Sequence, residues 1–348
     1  MKKIIDNFVP IEGRHCVTTA LRHLFIFNGW DISEDMLFGL GSGLGFAYFE
    51  VSGLPVVAGR SNVGAFEKAL SENMGIPFKI RSTTSNKKAL TDLKKSIDSD
   101  KPLAVYVDMF YLSYIKKTNH FGGHVIVVFG YDEEKDVFYV SDRDSVEKQI
   151  ALNPEAIKSN YHIIPTKELV VARSSAFLPF PAKNKWIDAF LSAHSRTEIT
   201  PLMIVKSIKY NLAAMTKQRE KNIGLPAIKL FSEKILLWKN MPEEVLSAGA
   251  LNCYTMINQI GGTGGGAFRS MYGNFLREAA EVLKSKQLAG CGANYLEVSE
   301  KWDKVAQDFL EIHQFPATGK IQEISRAVYR IFEKERKILA SLEQLVQP

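Results

Sequence analysis

The sequence predicts an α+β domain followed by an all-helical one, and three observations lead there. The first half alternates stretches of helical periodicity with short runs of β-branched and aromatic residues. Residues 174–185 hold serines, two prolines and two lysines, a composition that breaks both periodicities and reads as a linker. Beyond Trp186 nearly every stretch has helical spacing, the glycine run 260–266 excepted. The domains are accordingly drawn at 1–172 and 186–348, and 348 residues suffice for two cores without disulfide or metal staples.

Taken in order, Val17, Ala20, Leu21, Leu24 and Phe25 recur at helical spacing and predict a helix over 17–28. The stretch Phe38-Gly-Leu-Gly-Ser-Gly-Leu-Gly-Phe46 is too rich in glycine for a stable helix. Residues 61–74 and 87–97 read as amphipathic helices. Pro102–Val107, Val125–Phe129 and Val137–Val140 read as strands, the last two joined by the polar turn 132–136. In the second half, 293–313 and 319–345 are long helices, apolar on one face and charged on the other.

The net charge of +6 is spread along the chain. It suits an acidic protein partner or an anionic substrate, and it is too diffuse for a nucleic-acid surface. No run approaches the ~20 apolar residues of a membrane span. The start Met1-Lys-Lys-Ile-Ile resembles a signal peptide until Asp6 and Pro10 interrupt it, so a cytoplasmic location is expected. Cys16, Cys253 and Cys291 lie far apart, with no Cys-x-x-Cys or His-x-x-x-His pair. Such a set does not read as a disulfide framework, and no structural zinc site is expected.

The chemistry gathers in the first half. Cys16 stands just before the first helix, where the positive end of the backbone dipole favours the thiolate and free N–H groups can hold an oxyanion. His124 follows Gly122-Gly123 and opens an apolar strand, at a position where a base can work; His120 is its nearby rival. A third group should orient the imidazole. If 132–136 is the turn, Tyr131 pairs with Val137, Ile126 faces Asp142 and His124 faces Asp144. Both carboxylates then share the imidazole's face, and a turn one residue shorter would rotate both away. Register leaves the two tied. The plainer reading of each residue is a buried small thiol, a strand-end histidine and a solvated acidic turn.

The combination of a helix-leading Cys, then Gly122-Gly-His-Val-Ile-Val-Val-Phe-Gly-Tyr-Asp132, then Val140-Ser-Asp142 resembles papain-like cysteine peptidases and transferases. Gly13-Arg-His-Cys-Val-Thr-Thr-Ala-Leu21, Leu37-Phe-Gly-Leu-Gly-Ser-Gly-Leu-Gly-Phe46 and Ile260-Gly-Gly-Thr-Gly-Gly-Gly-Ala-Phe-Arg269 are similar to butirosin biosynthesis protein H and its relatives. That resemblance spans both halves of the chain. It implies a papain-like cysteine protease/transferase fold with an all-helical C-terminal domain. It also implies an acyltransferase that moves an acyl group from the phosphopantetheine thiol of an acyl carrier protein to a small amine. On this resemblance Cys16 is the nucleophile, His124 the base and Asp142 the orienting acid. Acyl transfer through a Cys16 thioester needs no metal and no tightly bound cofactor. Papain-like peptidases usually carry a Gln shortly before the Cys as oxyanion donor; residues 8–12 hold none, so His15 or backbone amides are the candidates here.

The expected substrate contacts are His15, then Gly43, Phe46 and Tyr48 as one wall of an acyl pocket, then Gly264 and Arg269 near the pantetheine arm. Against these stand plainer roles, an aromatic core and a tight interhelical turn. Two rival functions are a cysteine peptidase or amidase, with water as acceptor, and a non-catalytic binding protein of the same fold. A homodimer is left open by the sequence.

Overall fold

The computed structural model describes the chain except residues 52, 62–63, 116–119, 144–160, 179, 190–197, 218–219, 317 and 347–348. It is a mixed α+β protein, with antiparallel strands in the first half and helices in the second. It divides into two compact units, Met1–Glu34 with Gly75–Thr197, and Asp35–Met74 with Glu198–Pro348. The division differs from the single boundary expected between 172 and 186, because residues 35–74 pack with the C-terminal helices.

The first unit is built on one sheet. Its strand order is β4 (Phe78–Arg81), β9 (Trp186–Ala189), β5 (Leu103–Val107), β6 (His124–Asp132), β7 (Val137–Ser141) and β8 (His162–Pro165), with β1 (Lys2–Ile4) also paired to β6. All these pairings are antiparallel. Every residue of β6 is buried, which is why its sequence is a continuous apolar run rather than an alternating one. Helix α1 (Cys16–Phe27) packs on β5 and β6. Helices α4 (Asn86–Asp98) and α5 (Thr166–Ser174) pack on each other and on the sheet. The Gly122 backbone lies against another segment: a Cβ there would come within 2.4 Å of the Ala182 amide nitrogen and 2.5 Å of the Phe180 carbonyl.

The β6–β7 hairpin departs from the expected register and then returns to it. Its turn is one residue shorter, with Asp132 opposite Val137 and Tyr131 opposite Phe138. An irregularity between Val128 and Gly130 then absorbs one residue of β6, so that Val128 faces Val140 and Val127 faces Ser141. The short turn alone would have rotated the residues after β7 away from His124. The bulge at Phe129 cancels that shift and places Asp142 opposite Ile126, on the face that His124 shares.

The second unit pairs α6 (Pro201–Thr216), α7 (Leu225–Ile235), α8 (Glu243–Ile257), α9 (Arg269–Leu283), α10 (Lys286–Gln314) and α11 (Ile321–Val346) with the hairpin β2 (Leu44–Val51) and β3 (Leu54–Arg60). Helix α2 (Glu34–Leu40) leads into this unit and α3 (Ala65–Met74) closes its first segment. The glycine-rich stretch, expected not to be helical, begins inside α2, which runs to Leu40, and ends in β2, which starts at Leu44. Its glycines are needed for close packing on rings: a Cβ on Gly41 would lie 2.3 Å from the Phe66 ring, and one on Gly43 would lie 2.4 Å from the Phe38 ring.

Candidate active site

Cys16 is the first residue of α1, and His15 caps that helix from extended backbone (φ −135°, ψ 127°) with its ring accepting from the Thr18 amide. His124 is the first residue of β6, opposite Val107 of β5. Asp142 follows the last residue of β7. His124 Nε2 lies 2.6 Å from Asp142 Oδ2, with both side chains buried. Cys16 is hydrogen-bonded to both His124 and His15. With Nε2 engaged by Asp142, Nδ1 is the His124 nitrogen left for the thiol. The structure thus brings together Cys16, His124, Asp142 and His15. Asp144 lies outside the described residues.

The Asp142 carboxylate is held at both oxygens. Oδ1 accepts the Arg143 amide at 2.7 Å, and Oδ2 accepts the Tyr114 hydroxyl at 2.8 Å. The Tyr114 ring is in turn stacked on His162, with centroids 3.8 Å apart.

The electrostatics favour an ion pair. Burial by itself pushes the Cys16 thiol up, but the charge of His15 and the hydrogen bonds from His124 and His15 outweigh it and hold the thiol well below its ordinary value. Burial works against a charged His124, and the Asp142 charge and hydrogen bond overcome it, so the imidazole is shifted upward. Burial also opposes charge on Asp142, yet His124 and Arg143 keep its carboxyl below the usual range. Cys253 and Cys291 are raised by burial, with no compensating cation, and are inert by comparison.

His120 is engaged elsewhere. Its Nδ1 lies 2.9 Å from Asp108 Oδ2, and Asp108 also accepts the Ser175 hydroxyl at 2.6 Å and the Phe121 amide at 2.9 Å. Val107 faces His124, so strand alternation puts Asp108 on the opposite side of the sheet.

Two further groups at the site were not legible as such. Glu34 is buried beneath the start of α1, where its carboxylate accepts the Arg14 amide at 2.8 Å and the hydroxyls of Thr18 and Thr19 at 2.8 and 2.7 Å. His23 joins α1 to β7. Its Nδ1–H donates to the Thr19 carbonyl at 2.8 Å, and its Nε2 accepts from the Ile11 amide at 3.0 Å and from Ser141 Oγ at 2.7 Å. Burial lowers this imidazole to about 4, so it is neutral. The only hint was a pair of threonines and a histidine on the buried side of the helix.

The other expected substrate contacts are interior residues of the second unit. Phe46 is buried, its ring 5.3 Å from Trp302 and 6.1 Å from Phe231. Tyr48 is buried and donates to Glu50 Oε1 at 3.0 Å. Gly43 packs on Phe38 as described above. Arg269, expected as the cation near the pantetheine arm, is an interior residue. It is fully buried, with Nε and Nη2 donating to Glu335 at 2.9 and 3.1 Å and Nη1 to the carbonyls of Gly45, Gly59 and Ala267 at 3.0, 3.3 and 2.8 Å. Gly264 (φ +65°) lies in a loop tied to α10, where the Gly266 amide donates to Asp303 Oδ1 at 2.9 Å. One carboxylate therefore already caps an amide of this loop.

Among the described residues no group of three or more His, Cys, Asp or Glu side chains could hold a metal ion, and no helix is long and apolar enough to cross a membrane.

The site lies within a recognised family segment. Residues 15–143 match the family model described as butirosin biosynthesis protein H, N-terminal, a match that opens at His15 and closes one residue after Asp142. Residues 167–342, half of the chain, match the family described as Domain of unknown function (DUF4872). The chain belongs to the butirosin biosynthesis protein H-like family, with the DUF4872 domain as its second part. The comparison with curated proteins gives no match.

Proposed function

We propose that the protein is a cysteine-dependent N-acyltransferase of papain-like architecture, with Cys16 as nucleophile, His124 as acid and base, and Asp142 as the group that orients His124. The observation that carries this reading is the single hydrogen-bonded chain from Cys16 through His124 to Asp142, at the junction of a helix N-terminus and two antiparallel strands. The family match supports a biosynthetic role, and it favours acyl transfer over simple hydrolysis.

The donor is a thioester on the phosphopantetheine arm of an acyl carrier protein. The Cys16 thiolate attacks its carbonyl carbon to form a tetrahedral oxyanion. The Cys16 and Val17 amides at the N-terminus of α1 are placed to stabilise that oxyanion. As the intermediate collapses, the His124 imidazolium protonates the departing pantetheine thiol and leaves an acyl-Cys16 thioester. A small amine then attacks this thioester. Neutral His124 takes the amine's proton, the Cys16 thiolate leaves, and the amide is released with the ion pair regenerated.

Intact-mass analysis after incubation with an acylated carrier protein tests the reading. The expected result is a mass gain of one acyl group on the wild type and none on Cys16→Ala, with release of the acyl group when an amine is added. Release to water at the same rate without amine would make the protein a hydrolase. No adduct with any acyl thioester would leave only the binding-protein alternative.

A further inference from the structure

Glu34 holds the groups on either side of the start of α1. Its Oε2 accepts the Arg14 amide at 2.8 Å, while Oε1 accepts the Thr18 and Thr19 hydroxyls and lies 3.4 Å from the His15 amide nitrogen. The Thr18 amide goes to the His15 ring at 3.5 Å and the Thr19 amide to the His15 carbonyl at 2.8 Å. Among the described residues the Cys16 and Val17 amides have no hydrogen-bond acceptor. Two N–H groups are therefore left at the nucleophile, flanked by residues whose own donors are spent.

Glu34 is 6% exposed and lies outside the Cys16–His124–Asp142 chain. A buried carboxylate at a helix N-terminus is stabilised by the backbone dipole and by charge-assisted hydrogen bonds. Here those bonds fall on both sides of Cys16, on residues 14 and 15 before it and on 18 and 19 after it. The Cys16 backbone is thereby clamped from two directions. The clamp sets where Sγ lies relative to His124 and leaves the Cys16 and Val17 amides unengaged by Glu34.

We propose that Glu34 is the positioning residue of the nucleophile. It holds the first turn of α1 so that the Cys16 thiolate stays in hydrogen-bond reach of His124 and the Cys16 and Val17 amides stay open for an oxyanion. This rests on the assignment of Cys16 as nucleophile. Glu34 acts through the Arg14 and His15 amides and the Thr18 and Thr19 hydroxyls.

The test is the pH dependence of Cys16 alkylation by iodoacetamide, followed by peptide mass in the full-length wild type, Glu34→Gln and Glu34→Ala. Far-UV circular dichroism and the protection of Cys253 and Cys291 report the fold in parallel. The expected result for Glu34→Ala is a rate near pH 7 lower by roughly 10- to 100-fold, the penalty typical of a misplaced reacting group. Its rate should recover at alkaline pH, because the thiol has drifted toward an ordinary value. Glu34→Gln keeps the volume and one acceptor oxygen, and it should restore most of the rate. If Glu34→Ala unfolds, Glu34→Gln carries the test, with the same profile shifted less far on a folded chain. A fast wild-type thiol with an unchanged profile in the folded variants overturns the role of Glu34 alone. A wild-type Cys16 no faster than Cys253 overturns the nucleophile assignment, and Glu34's role falls with it.

Discussion

Tyr114 donates its hydroxyl hydrogen to the same Asp142 oxygen that faces His124, at 2.8 Å against 2.6 Å for the imidazole. Two donors on one oxygen fix the carboxylate's rotation, and the phenol also stabilises its charge. Tyr114→Phe removes the donor and keeps the ring stacked on His162. A hydrogen bond to a charged group is worth about 1.5–3 kcal/mol, so kcat should fall roughly tenfold or more with the fold retained. Steady-state kinetics beside a denaturant titration check this. An unchanged kcat would mean that the Arg143 amide and His124 suffice to hold Asp142.

Asp142→Ala should lower kcat by roughly two to four orders of magnitude, the range seen when an orienting carboxylate is lost from a triad. The deletion also strands the Tyr114 hydroxyl and the Arg143 amide in a buried place, so some stability should go with it. The decisive comparison is between kcat and the fraction folded at the assay temperature. A fully folded Asp142→Ala protein with near-normal turnover would show that His124 is oriented from elsewhere.

The opposed shifts of Cys16 and His124 define a wide active window in pH. The thiol is depressed, so thiolate is lost only when pH falls through that lowered value. The imidazole is raised, so imidazolium is lost only when pH rises through that higher value. Between these limbs the thiolate–imidazolium pair persists, and kcat/KM against pH should be flat across neutrality. Because Asp142 is what raises His124, Asp142→Ala should bring the alkaline limb down toward neutral pH. A profile that rises only above pH 8, as for an ordinary thiol, would contradict the ion pair.

His23 couples folding to acid in the opposite sense. Its imidazole protonates at about 4 in the folded chain and near 6.5 when unfolded. The unfolded chain binds the proton more readily between those values, so stability rises with pH from about 4 to 6.5 and is constant above. The full effect is about 3 kcal/mol for a shift of this size. Denaturant titrations from pH 4 to 7 should show this slope in the wild type and a shallower one in His23→Gln. Equal slopes would place the acid sensitivity in other groups.

Breaking the Arg269–Glu335 pair from one side should be costly, because it leaves a charge buried without its partner. Glu335→Gln is expected to lose about 3–5 kcal/mol. Replacing both partners together, as Arg269→Met with Glu335→Leu, should recover part of that loss, although the carbonyls of Gly45, Gly59 and Ala267 then lack their donor. Chemical denaturation of the three variants separates the cases. A single variant as stable as the wild type would show that water reaches the pair.

Local signals carried much of this architecture. The apolar run of β6, the polar turn after it and the helical spacing after Cys16 are patterns within a dozen residues, and each element lies within a few residues of its expected bounds. The bulge at Phe129 was less visible because nothing in an apolar run marks a missing pairing. Gly130, a glycine inside a strand, was the signal for it. Periodicity also says which face of an element is buried without saying against what. The aromatic face of β2 therefore read as part of the first domain, and Arg269 read as a cation for the pantetheine arm, since its partner Glu335 lies on another helix. No local pattern marks Glu34, and only the fold brings Thr18 and Thr19 onto it.

The buried guanidinium of Arg269 also imposes an order on biosynthesis. Its acceptors come from the β2–β3 hairpin, made early, and from the last helix, made at the end. While the ribosome adds residues at ~5–20 per second, the aromatic face of the hairpin must wait for Phe231 and Trp302, and Arg269 must wait for Glu335 until α11 has cleared the exit tunnel. The intervening segment 75–197 can meanwhile join residues 1–34 and close the unit that carries Cys16 and His124. A newly made chain can thus have Cys16 and His124 in place while its other half is still open, and truncation within α11 leaves the Arg269 guanidinium that bonds the early hairpin without its carboxylate.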